Sequence, residues 1–355
     1  MPPPVEELLL TKDQRRFSLG LLIGVVAIVW FGWELKMDEL LETLRSVQFE
    51  WVALAALILV AEFGIRALRW SVLLKPMGYD IPIKLLFSAQ VIGAALNTIL
   101  PLRAGEVAKP LLVSQKSGHP FWAVTATAIM ERVFDILGMV SVLVVMLIFL
   151  DARPETDSAN LIRVQNLQRY GGFLGIFALA CMGIFFALTT QRERARPIFE
   201  LIVRPTPRPV QNLFLSLYDG FVIGLSAIQS PKSVVLSALL SIVMWLNGAL
   251  AIFVLFQAFS LPLGFGAACF TAVAIAISVA LPQAPGFIGV FHVAIEETLI
   301  LWGMSLGPAK GFALVFWAIS FIPVTLLGVI RLWREGLDWN SIKSVQARNF
   351  TQNEQ

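Results

Sequence analysis

Charge is scarce in this chain of 355 residues: Asp, Glu, Lys and Arg together make up 14%, against about 25% in soluble domains. Cysteine and histidine are scarcer still, two of each. Cys181 and Cys269 both lie inside apolar runs, which excludes a disulfide framework and a Cys-based metal site. His119 and His292 alone cannot build the usual zinc constellations, so neither a metal nor another cofactor is expected. No G-x-x-x-x-G-K-S/T loop occurs, which removes the usual cradle for a nucleotide triphosphate. What is abundant is apolar surface. Hydrophobic residues reach 57%, above the roughly 45–50% of ordinary domains, and the reading is an integral membrane protein. The net charge of +3 then reflects Lys and Arg on cytoplasmic loops rather than nucleic-acid binding.

Crossing a hydrocarbon core of about 30 Å takes about 20 residues. Windows of that length lie near 17–35, 51–74, 121–149, 172–190, 233–259 and 311–332, giving six expected spans. The first follows an acidic Met-Pro-Pro-Pro start with no small-residue cleavage site, so it is read as uncleaved. Two further apolar blocks, 83–117 and 265–302, are each cut near the middle, by Leu100-Pro101-Leu102-Arg103-Ala104-Gly105-Glu106 and by Leu281-Pro282-Gln283-Ala284-Pro285-Gly286. Irregular backbone at membrane depth survives only where protein or a water-filled cavity satisfies it, and matched breaks of this kind point to a transporter's binding site. Each block is therefore read as a re-entrant helical hairpin.

The placement of Lys and Arg orients the chain. Lys12, Arg15 and Arg16 set the N-terminus inside, and Lys36 and Arg45 against Asp38, Glu39, Glu42 and Glu50 set the next loop outside. Arg69, Lys75 and Lys84 follow the second span, Arg69 snorkelling to the interface. Lys109 and Lys116 beyond the first break return that hairpin to the cytoplasm. Five arginines between 192 and 208 are cytoplasmic again, and Arg331 and Arg334 place the C-terminus inside. The two hairpins then enter from opposite faces, as in inverted repeats. The expected fold is thus all-α, with one membrane domain over 1–335 and a cytoplasmic tail over 336–355. Residues 209–228 read either as an amphipathic interfacial helix, with Leu213, Leu217, Phe221 and Leu225 on one face, or as a plain connector packed on the bundle.

An ionisable group at membrane depth costs about 2.5–3.5 kcal/mol even on the lenient insertion scale, so each needs a partner or a task. Arg103 and Glu106 flank Gly105 at the first tip. There a helix N-terminus and a planar bidentate donor could seat a phosphate; alternatively, Glu106 caps its helix and pairs with Arg103. Glu131, Arg132 and Asp135 fall near the bilayer centre on neighbouring positions of one helix face. They either steady Arg103 or ligate a coupling cation, or they lock helices together as a neutralised network. Glu62 and Arg66 form an i,i+4 pair, structural or substrate-facing. At the second break Gln283, Gly286 and Gly289 expose backbone, while His292 reads as a core histidine. Asn97, Thr98 and Asn247 either complete polar walls or glue helices.

The run Leu96-Asn97-Thr98-Ile99-Leu100-Pro101-Leu102-Arg103-Ala104-Gly105-Glu106, then Glu131-Arg132-Val133-Phe134-Asp135, then Pro285-Gly286-Phe287-Ile288-Gly289-Val290-Phe291, resembles the transmembrane, flippase-like domain of lysylphosphatidylglycerol synthases over roughly residues 15–335. The resemblance implies a helical bundle with re-entrant helices that moves lipids between leaflets, and it marks Arg103, Glu106, Glu131, Arg132 and Asp135 as motif positions. Two departures stand out. The soluble aminoacyl-transfer domain of the bifunctional synthases is not in this sequence, so no synthase activity is carried over, and the common Gly-Gly of the second tip is Gly286-Phe287 here. The expected function is translocation of an anionic phospholipid or polyprenyl-phosphate carrier across the bacterial cytoplasmic membrane, without enzymatic activity. An oligomer, or partners in envelope biogenesis, would be compatible with it. The alternatives are a membrane-embedded transferase using Glu106 or Asp135 as general base, and a non-transporting scaffold for envelope biogenesis.

Overall fold

A computed structural model describes residues 37–100, 103–149, 230–280 and 285–335, and all regular structure among them is helical. The expected spans at 17–35 and 172–190, the helix at 209–228, the tail and Gln283 lie outside the described residues. A short helix α1 (Met37–Arg45) is followed by α2 (Phe49–Leu74), α3 (Ile83–Ile99), α4 (Gly105–Ser117), α5 (Phe121–Phe149), α6 (Pro231–Ala258), α7 (Phe265–Ala280), α8 (Val290–Leu301) and α9 (Leu306–Arg334).

The breaks between helices follow local chemistry. Lys75-Pro76-Met77 forms a 3₁₀ turn after α2, and Gly78 takes the left-handed conformation that ends it (φ 77°). Pro82 precedes α3, and Leu100, extended because a proline follows, closes it (φ −101°, ψ 147°). Gly118 caps α4 at φ 73°, and the Ser230 side chain accepts from Ser233 N at the start of α6.

Among the described residues three helices are long and apolar enough to cross a membrane: Phe49–Met77 with its terminal turn, Lys232–Ala258 and Leu306–Arg334. α5 matches them in length at 29 residues but carries Glu131, Arg132 and Asp135 at its middle. The other five are short, 9, 17, 13, 16 and 12 residues in α1, α3, α4, α7 and α8, below the about 20 that a crossing needs.

The helices fall into two like blocks, each running long helix, short pair, long helix: α2–α5 and α6–α9. In space α3 packs on α9 and α7 packs on α5, so each short pair lies against the last helix of the other block. The two leading helices α2 and α6 form the most extensive contact in the molecule as described. They run antiparallel. Gln48 N donates to Ala258 O (3.0 Å), Asn247 Nδ2 to Ile58 O (2.9 Å) and Arg69 Nη1 to Ser241 Oγ (2.8 Å). An antiparallel pair of leading helices is the arrangement that inverted repeats would give.

Apolar packing divides around this seam. One core joins α2, α6, α8 and α9 through Ile252, Phe256, Phe291, Ile295, Phe312 and Phe316. A second joins α2 to the first short pair through Trp70, Leu74, Leu86, Ile92 and Leu112. The charged residues lie between α2 and the first short pair, at the tips where the two blocks meet.

Candidate functional site

The first tip turns at Arg103, whose backbone is left-handed (φ 53°). That conformation is uncommon for a residue with a side chain and marks the tip as held by its surroundings. The Arg103 Nη2 donates to the carbonyl oxygen of Val279, one of the last in α7, whose C-terminal carbonyls have no partner within the helix. Arg103 therefore joins the first tip to the second.

Next to it is a cavity of about 230 Å³, lined by charged and polar groups of α2 to α5 on one side and by Val279, Phe287, Phe321 and Val324 on the other. Its cations are Arg66, Arg103, Lys109 and Arg132, and its one carboxylate is Glu106. Behind the wall the ion pairs continue. Glu106 takes Arg132 Nη2 at 2.5 Å and Asn97 Nδ2 at 3.3 Å. Arg132 also holds Asp135 (2.9 Å), and Asp135 receives buried Arg69 at 2.6 Å. Glu131 accepts from Lys109 (2.5 Å) and Gln90 (3.0 Å), with Arg69 at 3.7 Å. Arg66 pairs with Glu62 at 2.6 Å. Every carboxylate in the cluster has a cationic partner, whereas Arg103 makes no carboxylate pair among the described residues. Two buried polar atoms on the cavity wall or beside it, Asn97 Oδ1 and Ser320 Oγ, have no hydrogen-bond partner.

Of the residues singled out from sequence, Arg66, Asn97, Thr98, Arg103, Gly105, Glu106 and Arg132 line the cavity. Glu131 and Asp135 stand behind it as partners of the lining cations. Gly286 and Gly289 shape the second tip with φ 76° and 98° but do not line the cavity; Gly286 O accepts from Trp317 Nε1 (2.8 Å). Asn247 bonds the α2 backbone, as helix glue does. His292 is buried beside Phe291 and Trp317.

Three expectations need correction. Arg69 does not snorkel: it is 1% exposed, drawn inward by Asp135 and Ser241. Lys109 is no loop marker: it is 5% exposed, on Glu131 and 4.8 Å above the Trp70 ring, because α4 returns along α5 and carries it into the cluster. Glu106 pairs with Arg132 rather than Arg103, and α4 has no side-chain cap. Gln90 is a lining residue that the sequence reading passed over, its signal a lone amide in an apolar helix, while Lys109 and Phe287 line the cavity without having been read as site residues.

Phe287 occupies the position where the resembling family commonly has a second glycine, and it keeps a glycine's backbone (φ 57°). Its ring is stacked on Phe321, centroids 5.1 Å apart. Phe287→Gly is expected to relieve about 1 kcal/mol of backbone strain but to lose more than that in buried ring area and in the stack on Phe321. Thermal unfolding of the purified variant should therefore move to a lower temperature while the cavity widens; an unchanged or higher unfolding temperature would show that the backbone strain dominates.

The model of the lysylphosphatidylglycerol synthase TM region matches residues 17–328 of the chain. A UPF0104 membrane protein of Methanothermobacter thermautotrophicus is 24% identical over 324 residues, covering 88% of this chain and 91% of the relative. Glycosyltransferase AglD of Haloferax volcanii is 23% identical over 300 residues, 79% of this chain but only 48% of AglD, so the chain spans about half of that protein. A UPF0104 membrane protein of Methanocaldococcus jannaschii is 21% identical over 238 residues, 67% of this chain and 93% of the relative. No solved structure matches. With its apolar helices and a match over nearly its whole length, the chain is a multi-pass membrane protein that belongs to the lysylphosphatidylglycerol synthase TM region family.

Proposed function

We propose that the chain moves a lipid with an anionic, phosphate-bearing head group from one leaflet to the other through this cavity. In this reading residues 1–335 form one membrane domain with six spans, the short pairs α3–α4 and α7–α8 dip partway into the bilayer from opposite faces, and both termini lie in the cytoplasm. The observation that carries it is Arg103: a cation with no carboxylate partner among the described residues, at the tip between two short helices, bonded to a backbone carbonyl of the second block. A phosphate oxygen is a stronger acceptor for a guanidinium than a peptide carbonyl. A head group arriving at Arg103 therefore competes with Val279 for it, loosening the join between the blocks at the moment the site is filled. Rocking of one block against the other then presents the head group to the opposite side. The lipid tails stay outside, alongside exposed Ile99, Val107 and Ile288. Without a nucleotide loop, uphill movement would draw on an ion gradient or a partner.

Arg103→Ala should reduce head-group exposure on the far leaflet of reconstituted vesicles by on the order of tenfold or more, given about 1.5–3 kcal/mol for a hydrogen bond to a charged group. Unchanged transport would reject the phosphate seat. A second reading, a transferase acting on a lipid-linked substrate, draws support from the name of the AglD relative. Turnover of a radiolabelled donor by the purified chain would favour it over transport.

A further inference from the structure

We infer that the cavity selects a singly charged phosphodiester head group over a doubly charged phosphomonoester. The inference rests on the proposed seating of a lipid anion at Arg103 and adds the charge state of that anion.

The argument is a charge balance. The cluster holds five cations, Arg66, Arg69, Arg103, Lys109 and Arg132, and four carboxylates, Glu62, Glu106, Glu131 and Asp135. Each carboxylate lies within 4.0 Å of a cation other than Arg103: Glu62 on Arg66, Glu106 on Arg132, Glu131 on Lys109 and Arg69, and Asp135 on Arg69 and Arg132. Among the described residues the surplus is one positive charge, and it sits on Arg103. Arg103 is exposed and the Arg132 side chain is 49% exposed; with this face at membrane depth, as in the proposed reading, a monoanion at Arg103 makes the filled site neutral, whereas a dianion leaves one charge uncompensated.

The shape agrees. The rings of Phe287 and Phe321 and the side chains of Val279 and Val324 form an apolar wall facing the cations. They give no donors to a second anionic oxygen, and the one spare donor on that side is Ser320 Oγ. A phosphate with two ester substituents presents two charge-sharing oxygens, enough for the Arg103 fork, and its ester arms are compatible with the rings.

The test uses the purified full-length chain in neutral detergent and equilibrium dialysis of three radiolabelled short-chain probes: dihexanoyl-phosphatidylglycerol, dihexanoyl-phosphatidate and uncharged dihexanoylglycerol as background. A phosphomonoester passes from one charge to two with a second ionisation near pH 6, whereas the phosphodiester stays at one. Phosphatidate binding should therefore weaken on the order of tenfold or more between about pH 5 and pH 8, the penalty of an uncompensated charge, while phosphatidylglycerol binding stays level. Level phosphatidylglycerol binding also shows that the protein's own groups do not titrate in the window. Glu106→Gln raises the surplus to two and should reverse the preference at pH 8; the wild-type pH comparison decides the question should that variant fold poorly. Phosphatidate binding that holds or strengthens as pH rises, while both anions bind above background, would overturn the charge balance and leave the seat standing. Neither anion binding above dihexanoylglycerol would overturn the seat and, with it, this inference.

Discussion

Glu131→Ala is expected to cost about 3–5 kcal/mol of stability, the range for removing one partner from a buried ion pair, and to leave little folded protein after extraction into detergent. Glu131 is 2% exposed and accepts from Lys109 and Gln90 with Arg69 close by. Its removal takes from Lys109, 5% exposed, its ion-pair partner, and leaves Asp135 alone to pair with buried Arg69. The control is the double variant Glu131→Leu with Lys109→Met. It removes both charges in near-matching volume, keeps the Arg69–Asp135 pair at 2.6 Å, and should recover most of the loss, since replacing a buried pair by apolar groups is often neutral or better. Thermal unfolding of the two proteins side by side checks this. A single variant as stable as wild type would mean that water already reaches Lys109 and Arg69, and the cluster would be a hydrated site rather than a locked one.

The outline of the fold was legible because hydropathy fixes where long helices lie. The described windows match α2, α5, α6 and α9 within a few residues at each end, except α9, which starts five residues before its window. The breaks were legible because Pro101 and Pro285 disfavour helix ahead of them and stand with further break residues, whereas the lone Pro110 and Pro323 sit inside α4 and α9. Partner choice was not. Whether Glu106 meets Arg103 or Arg132 depends on how α4 lies against α5 after the turn at Gly118-His119-Pro120, a tertiary register that neither spacing nor composition encodes. Arg69 and Lys109 were misplaced for the same reason. A basic residue near the end of an apolar run looks like a loop marker, and only Asp135 and Glu131 on a separate helix draw these two inward. Phe287 carried a legible signal, the departure from Gly-Gly, but its left-handed backbone and its stack on Phe321 required coordinates. The antiparallel seam between α2 and α6 follows in part from Asn247, read correctly as possible glue, although its acceptor Ile58 O is a backbone atom that no sequence pattern marks.

Gly105→Ala should abolish the proposed transport even though it adds a single methyl group. A Cβ at Gly105 would fall 1.8 Å from the carbonyl oxygen of Gly93 and 2.7 Å from Asn97 Oδ1, and the first of these is backbone, which cannot rotate away. α3 and α4 would have to separate by more than an ångström at their crossing, in the turn that positions Glu106 and, through it, Arg132. Overpacking of this kind costs about 1–3 kcal/mol, so the protein should survive purification with a lowered unfolding temperature, but with its cavity distorted where the head group is proposed to sit. Gly93→Ala provides the graded comparison. Its Cβ would lie 3.1 Å from Gly105 O and 3.2 Å from Lys109 Cβ, a contact that a shift of a few tenths of an ångström relieves, so it should keep most activity. The glycine at the first tip was read as a conformational break, yet Arg103 takes the left-handed turn and Gly105 begins α4. Its smallness, rather than its backbone freedom, is what the site uses. Measuring both variants for unfolding temperature and for head-group exposure in vesicles separates the two roles. Equal behaviour of Gly93→Ala and Gly105→Ala would mean that the crossing yields to either methyl, and that the close approach of α3 and α4 does not set the geometry of the cavity.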